Sequence, residues 1–184
     1  MVAESTEAYQ LPTVIDRLHR FAFIVPNPMR GKSGRTQTGS EAGRCLSNVS
    51  HRRFLVCEFD FAETGKSSQP TLWTPLVRLW RSRGASPQSA MAAIIMRMMA
   101  HAPLTMVTFS GSKSLHGWLY CQGEREEPGS MLHRFMVDAA RLGADPATFT
   151  RSQFVRMPGA IRPDTGRKQL VHYLDFKHVE GVNR

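Results

Sequence analysis

Cys45, Cys57 and Cys121 are the only cysteines in the chain, an odd number with no CxxC pair among them. A disulfide framework and a zinc ribbon both need paired cysteines, so neither is supported, and a reducing cytoplasmic setting is expected. No apolar run approaches the roughly 20 residues that span a bilayer, so no membrane association is expected. The opening MVAESTEAYQ lacks the basic and apolar pattern of a secretory signal. No internal repeat is visible. A phosphate-binding Walker loop is missing as well, because GxxxxGK followed by Ser or Thr needs an earlier glycine. Asp60 stands there for Gly65-Lys66-Ser67, and Pro26 for Gly31-Lys32-Ser33.

Acidic residues are scarce. Asp and Glu total 15 against 24 Lys and Arg, a net charge of +9. Such an excess points to a polyanionic partner, most simply nucleic acid or nucleotides, although a solvated basic surface has the same composition. The chain has 184 residues, 41% hydrophobic and 21% charged, enough for one sizeable core. A single domain over 1–184 is therefore expected, of α/β or α+β class.

Along the chain, residues 26–50 are rich in Gly, Ser, Pro, Thr and Arg and nearly free of apolar residues, which predicts a long flexible loop. Its Arg30, Lys32, Arg35 and Arg44 could track a phosphate backbone. Hydrophobic patterning predicts a helix over 13–21 and strands over 52–61, 104–110, 115–121 and 168–176. Ser86-Pro87 reads as a helix start, capping residue then proline, for a methionine-rich helix reaching about His101. Ser130 caps a second helix through Arg141. Met91, Ile94, Ile95, Met98 and Met99 recur at helical spacing and are read as core. A mixed or antiparallel sheet with flanking helices accommodates these elements.

Two stretches carry more chemistry than a fold requires. In TFSGSKSLHGWLY, residues 108–120, a turn alone needs two residues, yet five polar or small ones run from Ser110 to Ser114, with Lys113 among them and His116 close by. That composition suits a negatively charged ligand. In Cys57-Glu58-Phe59-Asp60, alternation puts both carboxylates on one face of a strand, roughly 6.5 to 7 Å apart along the chain. They repel each other unless cations neutralise them, as paired metals do in phosphoryl-transfer sites; two solvated acids at a strand end are the plainer reading.

The segment FVRMPGAIRPDTG, residues 154–166, resembles the Arg-Leu-Pro-Gly segment of archaeo-eukaryotic primases and related primase-polymerases. Ser114-Leu115-His116 is similar to the Ser-x-His motif of that superfamily, and Glu58-Phe59-Asp60 to its carboxylate pair. Asp145 sits where the superfamily has a third carboxylate. The resemblance covers about residues 52–176. It departs from the pattern at Glu58, more often Asp, and at Asp164, where a lysine often precedes Thr-Gly. No Cys and His cluster for a zinc-binding insert is present, and no helicase segment follows.

The resemblance implies an RRM-like sheet and template-directed nucleotidyl transfer, making or extending primers on single-stranded DNA from nucleoside triphosphates. It implies Glu58, Asp60 and Asp145 as ligands of two Mg²⁺ or Mn²⁺ ions. Phosphate oxygens would meet Ser110, Lys113, Ser114, His116 and Arg156, with His116 also in the catalytic set. Arg151, Arg162, Arg167 and Lys168 could line a template groove, and a replicative helicase could act in trans or on a longer chain. A gap-filling repair polymerase of the same superfamily, and a catalytically silent module that binds single-stranded nucleic acid, are the alternatives.

Overall fold

The computed structural model describes residues 17–60, 74–100, 102–121 and 123–175. Its centre is a four-stranded antiparallel sheet built from β4 (Phe54–Phe59), β5 (Leu104–Phe109), β6 (Leu115–Tyr120) and β8 (Val171–Leu174). The strands lie side by side in the order β4-β6-β5-β8. Helices α1 (Thr74–Ser82), α2 (Pro87–Met98) and α3 (Met131–Arg141) accompany them. The expected class, an antiparallel sheet with flanking helices, is the one observed. Arg17 and Leu18 are helical and His19 and Arg20 form a turn, so the helix ends before the expected Phe21; residues 13–16 lie outside the described residues.

Local signals set the helix starts. Ser86 Oγ accepts the Ser89 N–H at 3.1 Å with Pro87 in the first turn, and Ser130 Oγ accepts the His133 N–H at 3.1 Å. Each satisfies an amide that has no partner within its helix. The methionine-rich helix stops at Met98, a turn short of the expected end, where Met99 caps it.

Strand alternation divides the sheet into two unlike faces. Leu55, Cys57 and Phe59 of β4 join Leu115 and Leu119 of β6 under Met91, Ile94, Ile95 and Met98 of α2 and Leu132, Phe135 and Ala139 of α3. Gly117 permits this close packing: a Cβ there would lie 3.1 Å from Ile95 Cγ2. On the opposite face Val56 and Trp118 pack with Val155, Ile24, Phe54 and Met106. Here a small ribbon, β1 (Phe23–Ile24) with β7 (Val155–Arg156), covers part of the sheet. The rest of that face holds the polar residues described below.

Residues 26–50 are not the open loop that their composition predicts. β2 (Gly34–Arg35) pairs with β3 (Glu41–Ala42), and a 3₁₀ turn follows over Leu46–Asn48. Two buried asparagines replace an apolar core. Asn48 accepts the Gly31 N–H at 3.0 Å and donates to the Gly31 and Gly43 carbonyls at 2.9 and 2.7 Å. Asn27 Oδ1 accepts the Arg53 and Phe54 N–H groups at 2.8 and 2.9 Å, tying the segment to the start of β4. Satisfied buried amides order a polar segment that has little hydrophobic area to bury. Among the described residues, no helix is long and apolar enough to cross a membrane.

Candidate active site

Antiparallel register builds the site one row at a time. Glu58 of β4 lies opposite His116 of β6, which in turn lies opposite Thr108 of β5. On the free side of β4, Phe59 bridges Ala144, and the Asp145 N–H donates to the Glu58 carbonyl at 2.8 Å. That register sets Asp145 opposite Glu58. Cross-strand partners share a face, so Asp145, Glu58, His116 and Thr108 form a row on the face away from α2 and α3.

His116 is almost wholly buried, 2% exposed. Its Nε2 lies 3.5 Å from Glu58 Oε1 and 3.3 Å from Ser114 Oγ, and its Nδ1 is buried with no hydrogen-bond partner. Burial opposes ionisation of Glu58, but hydrogen bonds from His116 and Ser114 and the charges of His116 and Arg156 outweigh it, holding the carboxyl down at about 2. Asp60, one residue beyond β4, pairs with Lys113 through Oδ2 and Nζ at 2.7 Å. Asp60 is thus paired with a lysine, and Glu58 lies beside an imidazole.

The 110–114 loop is closed by its own ends and clamped from outside. The Ser110 N–H donates to the Ser114 carbonyl at 3.0 Å, and the Ser114 N–H to Ser110 Oγ at 3.1 Å. Gly111 has a φ of 77°, and a Cβ there would come within 3.1 Å of Arg162 Cβ and of the Arg167 carbonyl. Only glycine suits both the left-handed backbone and the close approach. Thr165 Oγ1 donates to the Gly111 carbonyl at 3.0 Å, and Arg162 Nη1 reaches the Ser110 carbonyl at 3.5 Å.

Arg162 has a partner that the sequence reading did not assign it. Expected there to line a template groove, it also lies within electrostatic reach of the Glu58 and Asp60 carboxylates. Its guanidinium is gripped by both oxygens of Asp164, at 2.6 and 2.8 Å. That hydrogen-bonded pair, with the charges of Glu58 and Asp60, raises its pKa despite burial. The signal was Asp164 itself: an acid two residues after Arg162 in Arg162-Pro-Asp-Thr-Gly invites a search for its cation. For Arg156, burial and the Arg162 charge lower the pKa, while Asp164 and Glu58 oppose them. Arg151 points elsewhere, to Glu126 at 3.5 Å and the Ser50 carbonyl at 3.4 Å.

The expected metal ligands are ordinary hard-cation donors, carboxylate oxygens with Glu58 ionised, and so fit Mg²⁺ or Mn²⁺ by chemistry. Among the described residues no group of three or more His, Cys, Asp or Glu side chains is arranged to hold a metal ion. Asp145 Oδ1 instead accepts the Ala147 N–H at 2.9 Å, capping the 3₁₀ turn Pro146–Phe149.

No family model matches the chain, and no curated protein matches it in sequence. Among solved structures it is similar to the AEP domain of the primase-polymerase of cyanophage S-2L, at 15% identity and a TM-score of 0.45, over 92% of this chain and 75% of that one.

Proposed function

We propose that the protein is a nucleotidyltransferase that makes or extends primers on single-stranded DNA, with Glu58, Asp60 and Asp145 as carboxylate ligands of Mg²⁺ or Mn²⁺. One observation carries the reading: the sheet row that brings ionised Glu58 and buried His116 together also lies beside the cationic 110–114 loop. When bound, the ions supply Lewis acidity to the attacking hydroxyl and the triphosphate. Lys113, released from Asp60, and Arg156 give positive charge to phosphate oxygens. Ser110 and Ser114 hold the loop that presents Lys113. His116, fixed by Ser114 and Glu58, offers a second donor to the same anion.

The Lys113–Asp60 pair and the capping role of Asp145 favour a second reading, a silent module whose carboxylates are structural. Primer synthesis with labelled nucleotides and Mn²⁺, on template alone and on a gapped duplex, separates the readings. Products on template alone support a primase. Products confined to the gapped duplex support a repair polymerase, and DNA binding without product leaves the silent module.

A further inference from the structure

Four side chains from distant parts of the sequence stack into one ladder beside the carboxylate site. The Arg156 guanidinium lies 4.4 Å over the Phe23 ring, its cross-strand neighbour in the β1–β7 ribbon. Phe23 meets Phe154 with ring centroids 6.1 Å apart, and the Arg44 guanidinium lies 4.8 Å over Phe154. Gln153 Oε1 fixes Arg44 by accepting from Nη1 at 2.8 Å. An amide is neutral, so this contact orients the guanidinium without cancelling its charge. Arg44 is exposed, Phe23 is 37% exposed, and Phe154 and Arg156 are half-buried, so the ladder has an open side toward solvent.

We propose that this ladder is the track along which the phosphate backbone of single-stranded DNA leaves the carboxylate site, from Arg156 outward to Arg44. The identity of the partner rests on the nucleotidyl-transfer reading; the track itself rests on the stacking. Each cation–π contact at an exposed position adds modestly to stability. Its larger effect is to hold each guanidinium over a ring and limit its movement, which lowers the cost of gripping phosphate through two hydrogen bonds. Arg156 joins the track to the site through β7, whose neighbouring Val155 packs on Val56 of β4, two residues before Glu58. The exposed ring edges favour a single strand, whose unstacked bases can pack on them, over a duplex that hides its bases.

The test measures anisotropy of labelled oligo-dT in EDTA between about 50 and 200 mM salt, for the wild type, Arg44→Gln and Phe154→Leu. Arg44→Gln should weaken binding about fivefold or more and flatten the logarithmic salt slope by about 0.7, the value of one lost phosphate contact. Phe154→Leu keeps an apolar side chain but removes the ring, and should weaken binding about tenfold with the slope retained. Wild-type affinity and slope in Arg44→Gln would overturn the proposal; that side chain is exposed, so its result is decisive even if Phe154→Leu folds poorly. Binding of a nucleoside triphosphate to the wild type with Mn²⁺ is measured alongside. Its absence, with the ladder effects intact, sinks the transfer reading and leaves the track.

Discussion

The contact between Glu58 and His116 should be measurable as a coupling energy that fades in acid. Lowering the Glu58 carboxyl from 4.5 to about 2 corresponds to about 3 kcal/mol at about 1.36 kcal/mol per pKa unit. Burial works against this, while His116, Ser114 and Arg156 share the favourable part. The Glu58 side chain also keeps 29% of its exposure, so water screens some of it. The share of His116 is therefore on the order of 1 to 2 kcal/mol, within the range of a hydrogen bond to a charged group. His116→Ala, Glu58→Gln and the double variant form the cycle, which cancels the cost of emptying the buried imidazole site. Urea unfolding in EDTA at pH 7 and pH 3 supplies the free energies.

Because the folded-state pKa of Glu58 is depressed, its contribution is complete above the ordinary 4.5 and is lost as pH falls through about 2. At pH 3 roughly half or less should remain. A coupling below about 0.3 kcal/mol at pH 7, or one equally large at pH 3, would refute the assignment of the lowered pKa to this contact.

Removing either strand carboxylate, by Glu58→Ala or Asp60→Ala, should reduce nucleotide incorporation about a hundredfold or more with oligonucleotide affinity nearly intact; single-turnover extension set beside anisotropy checks it. Lys113→Ala should weaken binding of a nucleoside triphosphate far more than of the bare nucleoside, as read by calorimetry, and equal losses would indicate a distorted loop instead. Asp145→Asn retains an oxygen able to cap the 3₁₀ turn, so the melting temperature should scarcely move while Mn²⁺ affinity and incorporation fall. An unchanged Mn²⁺ titration would confine Asp145 to the cap.

The sequence by itself determined whatever rests on near neighbours. Ser86-Pro87 and Ser130 started helices where capping chemistry requires, since an amide without a helical partner takes the closest side-chain oxygen. Alternation in β4 and β6 fixed which residues face the helices, because strand period is a local property, whereas a register shift between Leu104 and Met106 interrupts it in β5. Tertiary structure alone decided the contacts between distant segments. Composition marked 26–50 as an open loop because the groups that order it, Asn27 with Arg53 and Arg151, and Asn48 with Gly31, lie 17 to 124 residues apart. The register that sets Asp145 opposite Glu58 depends on a single bridge, Phe59 with Ala144, which no local pattern announces. Arg162 came to the carboxylates, and Arg44 and Arg156 to the two phenylalanine rings, through folding of segments that share no periodicity. Charge acts through space, so which cations a carboxylate meets is fixed only when the chain is packed.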